Sequence, residues 1–427
     1  MLLAKPSLRF SSIAAALLAM TSLPLHAQAT FTWEQVKNKF ESTNPTLKAD
    51  AINVQEMSAE EITADLRPNP SLAVSEDGTQ IAPNRGVWQP LSGVQVQASL
   101  SYLHERDHKR ELRLKSAQQA TGIASAQHLD LERNLLFNLR SAFVQTLQAK
   151  AVLNLSREEL GYYDHIIDIS QQRFHAGDLA QVDLDRIELQ RVQYEADLQT
   201  AEVNLRTAKI QLLQLLDDKT PADQFDIAGP FDFSDQLQPL DDFRQVALAE
   251  RPDLKAALES LQQAKTNHKL AVSNGSTDPT LSAWYTYNPS FQNPYANQTL
   301  GLSVSVPLRV FDRNQGEKQR TELDIGKSQQ TADATNTQVF ADVDSAYAQL
   351  NSNLILLRPY KAKYLGQAAR VRDTITFSWQ HGGASLMDFL NAQSDYRNVQ
   401  LAYAQLIGSY LIATGQLNLA VGREVIQ

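Results

Sequence analysis

The chain has 427 residues, 43% of them hydrophobic, and carries 39 basic against 48 acidic side chains for a formal net charge of −9. That acidic balance, with no basic run anywhere, excludes a nucleic-acid partner. The absence of cysteine excludes disulfides, thiolate metal sites and a lipidated N-terminal cysteine.

Residues 1–29 have the layout of a secretory signal peptide: Lys5 and Arg9, an apolar run over 13–25, then Ala27 and Ala29 on either side of Gln28. The run is short for a membrane span and polar sequence follows at once, so an exported protein is expected. Removing Lys5 and Arg9 from the 39 basic residues leaves 37 against 48 acidic ones, a net charge of −11. No later stretch is long and apolar enough for a transmembrane helix, so entry into a membrane would require β-strands in a closed barrel.

Residues 31–66 predict one helix, with Leu and Ile at helical spacing up to Pro68. Alternation over 71–76 and again from Gly93 predicts a β-hairpin over 71–103. Val94, Val96, Ala98, Leu100 and Tyr102 oppose Gln95, Gln97, Ser99 and Ser101, one greasy face against one wet face. From 109 to 174 no proline intervenes and Leu, Ala and Val keep helical spacing. A helix of about 65 residues would reach roughly 100 Å and needs coiled-coil-like neighbours along its length. A tip over 173–184, a returning helix over 184–216 and a linker over 218–240, rich in Asp, Pro and Phe, complete the first half.

The order then runs again. Pro252, Leu254, Lys255 and Ala256 echo Pro45, Leu47, Lys48 and Ala49. A second hairpin is expected over 280–308, where Leu300, Leu302, Val304, Val306 and Leu308 alternate with Gly and Ser. A helix over 315–377 interrupted at Pro359, a tip over 378–389 and a helix over 385–421 follow. The duplication divides the mature chain into structural repeats over 30–217 and 241–427.

Superposing Gly177 on Gly382 also lays Phe174 on Trp379 and Asp183 on Asp388. Glycine lets a helix end in a left-handed conformation, and polar residues after it can cap the next helix. Asp183 and Asp388 therefore read either as caps or as functional tip residues. The four strands cannot close a barrel alone, since bacterial barrels start at about eight strands. Either they sit in a soluble sheet, or several chains pool them, eight in a dimer or twelve in a trimer. Trp88, Tyr102, Trp284, Tyr285, Tyr287 and Tyr295 lie near strand ends and would suit the aromatic girdle of a barrel.

His104, Glu105 and His108 match the spacing of a zinc-protease helix. The residues before them alternate like a strand, and Lys109 and Arg110 follow, so a solvated polar corner is expected. His175 and His381 lie near the tips at unmatched positions and read as surface turn residues. No phosphate-binding loop or nucleophile elbow occurs, so neither an enzyme nor a cofactor is expected.

The signal-like start, the doubled plan, the strand ending Ser303, Val304, Ser305, Val306, Pro307 and Leu308 with Phe311, Asp312 and Arg313 after it, and the two tips with Asp six residues beyond Gly resemble the TolC-like outer-membrane factors. These outer membrane efflux proteins include a CzcC-like branch serving heavy-metal pumps, and others serving drug pumps. The resemblance covers essentially the whole mature chain. It implies an α+β membrane protein with long helical coiled-coil hairpins and four strands per chain. A homotrimer would pool the strands into a twelve-stranded barrel among outer-membrane lipid, continuous with a periplasmic α-helical tunnel. The implied function is passive conduction of small molecules or metal ions to the exterior, when docked to a periplasmic adaptor and an inner-membrane pump of the RND or a related type.

In that family the second tip carries acidic residues that narrow the periplasmic entrance. Asp388 matches the first, and Asn391 stands where some relatives have a second acid. Ala384 replaces a basic residue that some relatives use to tie the tip. Arg173, Gly177, Asp178, Asp183, Gly382 and Gly383 match the adaptor-docking turns. The alternative function is a soluble periplasmic scaffold that binds partners through its hairpin tips.

Overall fold

The computed structural model describes residues 29–289 and 296–426, so the signal-like segment 1–28, and Asn293, Pro294 and Tyr295 of the second hairpin loop, lie outside the described residues. The elements run β1 (Ala29–Phe31), α1 (Trp33–Thr43), α2 (Pro45–Asp65), β2 (Ser71–Asp77), β3 (Gln95–Leu103), α3 (Lys109–Ala176) and α4 (Gln181–Leu215). They continue with β4 (Phe225–Ile227), α5 (Leu240–Glu250), α6 (Pro252–Ser273), β5 (Thr280–Tyr287), β6 (Gln298–Ser305), α7 (Gln315–Pro359), a π-helical turn (Tyr360–Tyr364), α8 (Leu365–Gln380) and α9 (Leu386–Val421).

The helix expected over 31–66 is two helices. Pro45 cannot donate to a preceding turn, so it opens α2 at the first helical position, with the Asn44 side chain accepting from Leu47 N at 3.0 Å. Pro252 opens α6 in the same way after Arg251. The shared Pro-x-Leu-Lys-Ala thus marks the same joint in both halves. Helix α3 is 68 residues long, about 100 Å at 1.5 Å per residue, and packs against α2, α4, α6 and α9. At Pro359 the chain does not break but widens into the π turn, where the Leu365 amide donates to Tyr360 O.

The strands form one antiparallel sheet in the order β2-β3-β5-β6. Its register puts Leu72, Leu100, Ala283 and Leu302 in one cross-strand row, and Ala73, Ser99, Trp284 and Gly301 in the row behind them on the other face. The apolar face is bare: Leu72 is 72% exposed, and Leu300 and Leu302 are each 77% exposed. Tyr102, Tyr285 and Tyr287 lie on this face, Tyr102 towards the helices and the other two towards the loops. Alternation turns Trp284 to the polar face, which removes it from the expected girdle. Strands β2 and β6 leave both sheet edges open, a state that lipid does not tolerate without further strands.

The core lies midway along the helices in two adjoining clusters. Phe40, Leu139, Phe143, Leu212 and Phe225 centre the first, and Phe243, Val343, Leu354, Tyr410 and Leu417 centre the second. The expected linker is not plain coil: β4 pairs parallel with β1, Phe31 opposite Ile227, and Lys150 and Lys209 both meet Asp226 beside it. Buried Arg251 holds the second half together through Asp253, Asp342 and the Ala420 carbonyl. Among the described residues no helix is long and apolar enough to cross a membrane.

Candidate functional site

Helix α3 ends at Gly177, whose φ of 85° is the left-handed conformation that glycine adopts without penalty. The Asp178 amide donates to Arg173 O at 2.8 Å and the Gly177 amide to Phe174 O at 3.0 Å, closing the carbonyls left free by the last turn. The second tip repeats this closure residue for residue. Gly382 has φ 78°, the Gly383 amide donates to Ser378 O at 2.8 Å, and the Gly382 amide donates to Trp379 O at 3.1 Å.

The two tips differ in how the returning helix starts. Ser385 caps α9: its hydroxyl accepts from the Asp388 amide at 3.1 Å, while the Asp388 carboxylate accepts from the Ser385 amide at 3.2 Å. The Ser385 hydroxyl, then its amide, holds the Asp388 carboxyl below the usual aspartate range. At the first tip the equivalent cap position is Ala180, which has no side chain to accept, and Asp183 stands in the first turn of α4 rather than at the cap. Asp183 is therefore not an N-cap. Asp388 and Asn391 are both exposed and one helical turn apart, so they share one face of α9 at the end of the molecule.

Arg173 joins the two tips. Its Nη1 donates to Trp379 O at 3.3 Å and its guanidinium lies 5.1 Å from the centre of the Trp379 ring. Trp379 stacks on Phe389 at 4.5 Å, and with Tyr163, Ile166, Ile187, Tyr194 and Leu386 these rings fill one core shared by both hairpins. Ala384 packs against that core. Gly177, Asp178, Gly382 and Gly383 stay exposed at the apex. His175 and His381 are exposed there too, and among the described residues no group of three or more His, Asp or Glu is placed to hold a metal ion.

A second layer lies further from the apex. Gln393, 2% exposed, donates to Tyr162 Oη at 3.2 Å and Thr376 Oγ1 at 3.1 Å, so three helices meet on one amide. Arg372 stacks 3.9 Å from the Tyr396 ring, and Arg397 pairs with Asp197 while lying over Tyr194. Beside them Glu159 is 7% exposed in a cleft of about 160 Å³; burial pushes its carboxyl up to about 6, against the attraction of Arg372 and Arg397.

Sequence reasoning overlooked this layer and the Ser385 cap. The cap carried a signal, since Ser followed three residues later by Asp before an apolar run is a helix-start signature. Gln393, Thr376 and Glu159 gave none, because nothing in their spacing says which helices will be neighbours. The zinc-protease spacing is not on a helix: His104 leaves β3, His108 has φ 58° just before α3 begins, and Glu105 is paired with Arg113. That segment is the polar corner between strand and helix.

The family described as outer membrane efflux protein matches residues 37–217 and 243–423. The chain is 21% identical to the cobalt-zinc-cadmium resistance protein CzcC of Cupriavidus metallidurans, over 94% of this chain and 92% of that protein. It is 22% identical to the outer membrane protein TolC of Escherichia coli over 71% of this chain, spanning 64% of TolC's length. Among solved structures, CusC superposes with a TM-score of 0.77 at 16% identity over 92% of each chain, which fixes the fold. Two match segments laid end to end, covering both halves of the doubled chain, show that this protein belongs to the outer membrane efflux protein family.

Proposed function

We propose that the two hairpin tips are the working end of this channel, with Asp388 and Asn391 at its periplasmic constriction and Arg173, Gly177, Asp178, Asp183, Gly382 and Gly383 on the surface that docks the adaptor. As an outer membrane efflux protein the chain is a passive duct and not an enzyme. It functions as a homotrimer with a periplasmic adaptor and an inner-membrane pump. The observation that carries the reading is a four-stranded sheet with a bare apolar face and two open edges, continuous with helices about 100 Å long. Such a sheet is complete only when copies pool their strands, and such helices reach far from the bilayer to present their tips.

We assign the repeats to 30–217 and 241–427, joined by 218–240, because the element order recurs across that division. Export of the mature chain after residue 29 belongs to the same proposal. Three Asp388 carboxylates around one axis would make a negative throat that favours cations. The Ser385 cap does not compete with this role: it uses one oxygen of the carboxylate, leaves the residue exposed and favours its charged form. Cargo is small molecules or metal ions, the name of CzcC pointing to the latter. Replacing Asp388→Ala is expected to lower the cation-over-anion permeability ratio of the trimer in a planar bilayer. Identical ratios in variant and parent would remove Asp388 from the constriction.

A further inference from the structure

The polar face of the sheet is lined almost throughout by small side chains. Ser71, Ser101, Ser282 and Ser303 make one cross-strand row, and Ser75, Gln97, Thr286 and Thr299 make another. The hydroxyls of Ser71 and Ser101 lie 2.7 Å apart, so these side chains share that face. Between the two rows runs Ala73, Ser99, Trp284 and Gly301, and Trp284 is the single aromatic side chain on the face among the described residues.

Its position is built and not incidental. A Cβ placed on Gly301 would come within 2.2 Å of Trp284 Cε2 and 2.3 Å of Cζ2. The indole therefore lies against the backbone of β6 at Gly301, in space that a Cβ there would occupy. The opposite face of the sheet, carrying Leu72, Leu100, Leu302 and Tyr285, is the one that suits lipid. In a barrel pooled from three chains, the row of Trp284 then faces the lumen at one level of the membrane.

We propose that Trp284 is the cargo-contacting residue of the barrel, three indoles forming an aromatic belt that binds planar aromatic cations on their way out. The inference rests on the duct reading above and adds a substrate class to it. A lumen of Ser, Thr and Gln offers hydroxyls and amides that water supplies equally well. An indole face supplies stacking and attraction to a delocalised cation, which a hydrated metal ion cannot exploit without losing its water. Seating against Gly301 keeps the ring close to the wall, so the belt adds affinity without closing the pore.

The test is single-channel recording of the trimer in a planar bilayer, with ethidium as the probe added on the hairpin-loop side. The parent channel is expected to show concentration-dependent block. Trp284→Ser should raise the half-blocking concentration roughly three- to thirtyfold, the range expected for loss of a cation over an indole. Trp284→Phe should retain most of the block, and zinc ions added instead of ethidium should pass parent and Trp284→Ser channels alike. Gly301→Val must displace the ring into the lumen and is expected to lower the unblocked conductance while the trimer still assembles. Conducting channels in which ethidium block is the same in parent and Trp284→Ser would overturn the belt and leave the duct intact. No conducting trimer from the parent protein would overturn the duct, and the belt with it.

Discussion

Glu159 and Asp388 are two carboxylates on the same tunnel end whose surroundings push them in opposite directions. Asp388 is exposed, and the Ser385 hydroxyl, then its amide, lowers its pKa below the usual aspartate range. Glu159 is buried, and its pKa is raised from 4.5 to about 6 despite Arg372 and Arg397. Between those two values the folded protein holds a proton that the unfolded chain has released. Stability contributed by this group therefore falls as pH rises from about 4.5 to 6, and the penalty is fully present above that window. At 1.36 kcal/mol per pKa unit the penalty is at most about 2 kcal/mol. Glu159→Gln removes it, so the variant is expected to melt above the parent at pH 7.5 and to show a flatter melting profile between pH 4.5 and 6. A variant that melts below the parent at pH 7.5 would mean that the ionised carboxylate stabilises the wall through Arg372 or Arg397.

At the scale of elements, the two tips share a helix stop and differ in the helix start. Losing a serine cap costs about 1 kcal/mol, so Ser385→Ala should speed hydrogen exchange at the first amides of α9 about fivefold. The converse change, Ala180→Ser, places an acceptor three residues before Asp183 and should slow exchange at the start of α4. Unchanged exchange in both variants would mean that packing in the shared tip core, and not the cap, sets the stability of these turns. Much of this level was legible beforehand because it is periodic or local. Alternation over Gln95–Leu103 announces a strand with two faces, and the same parity, counted from Leu281, puts Trp284 opposite Tyr285. Pro45 after Asn44 is a helix start that a reading of 31–66 as one helix passed over. Other features had no local signal. The pairing of β1 with β4 rests on three residues at each end of a long loop closure. The clip of Arg173 on Trp379 depends on how two hairpins sit side by side, which neither hairpin's own pattern encodes.

At the scale of the whole molecule, a single chain is an incomplete object. Its sheet keeps a bare apolar face and open edges, and its tips present exposed turns at the far end of the helices. Lipid accepts β-structure only when every edge is paired, and one copy supplies too few strands to close. The duct therefore exists only in the assembled trimer. The most direct measurement is the mass and membrane location of the mature protein, extracted in mild detergent after separation of inner and outer membranes. A trimer is expected in the outer-membrane fraction, running with altered gel mobility until heated. A monomer or dimer recovered from the soluble periplasm would contradict it, and would leave the four strands as an ordinary sheet on a helical scaffold.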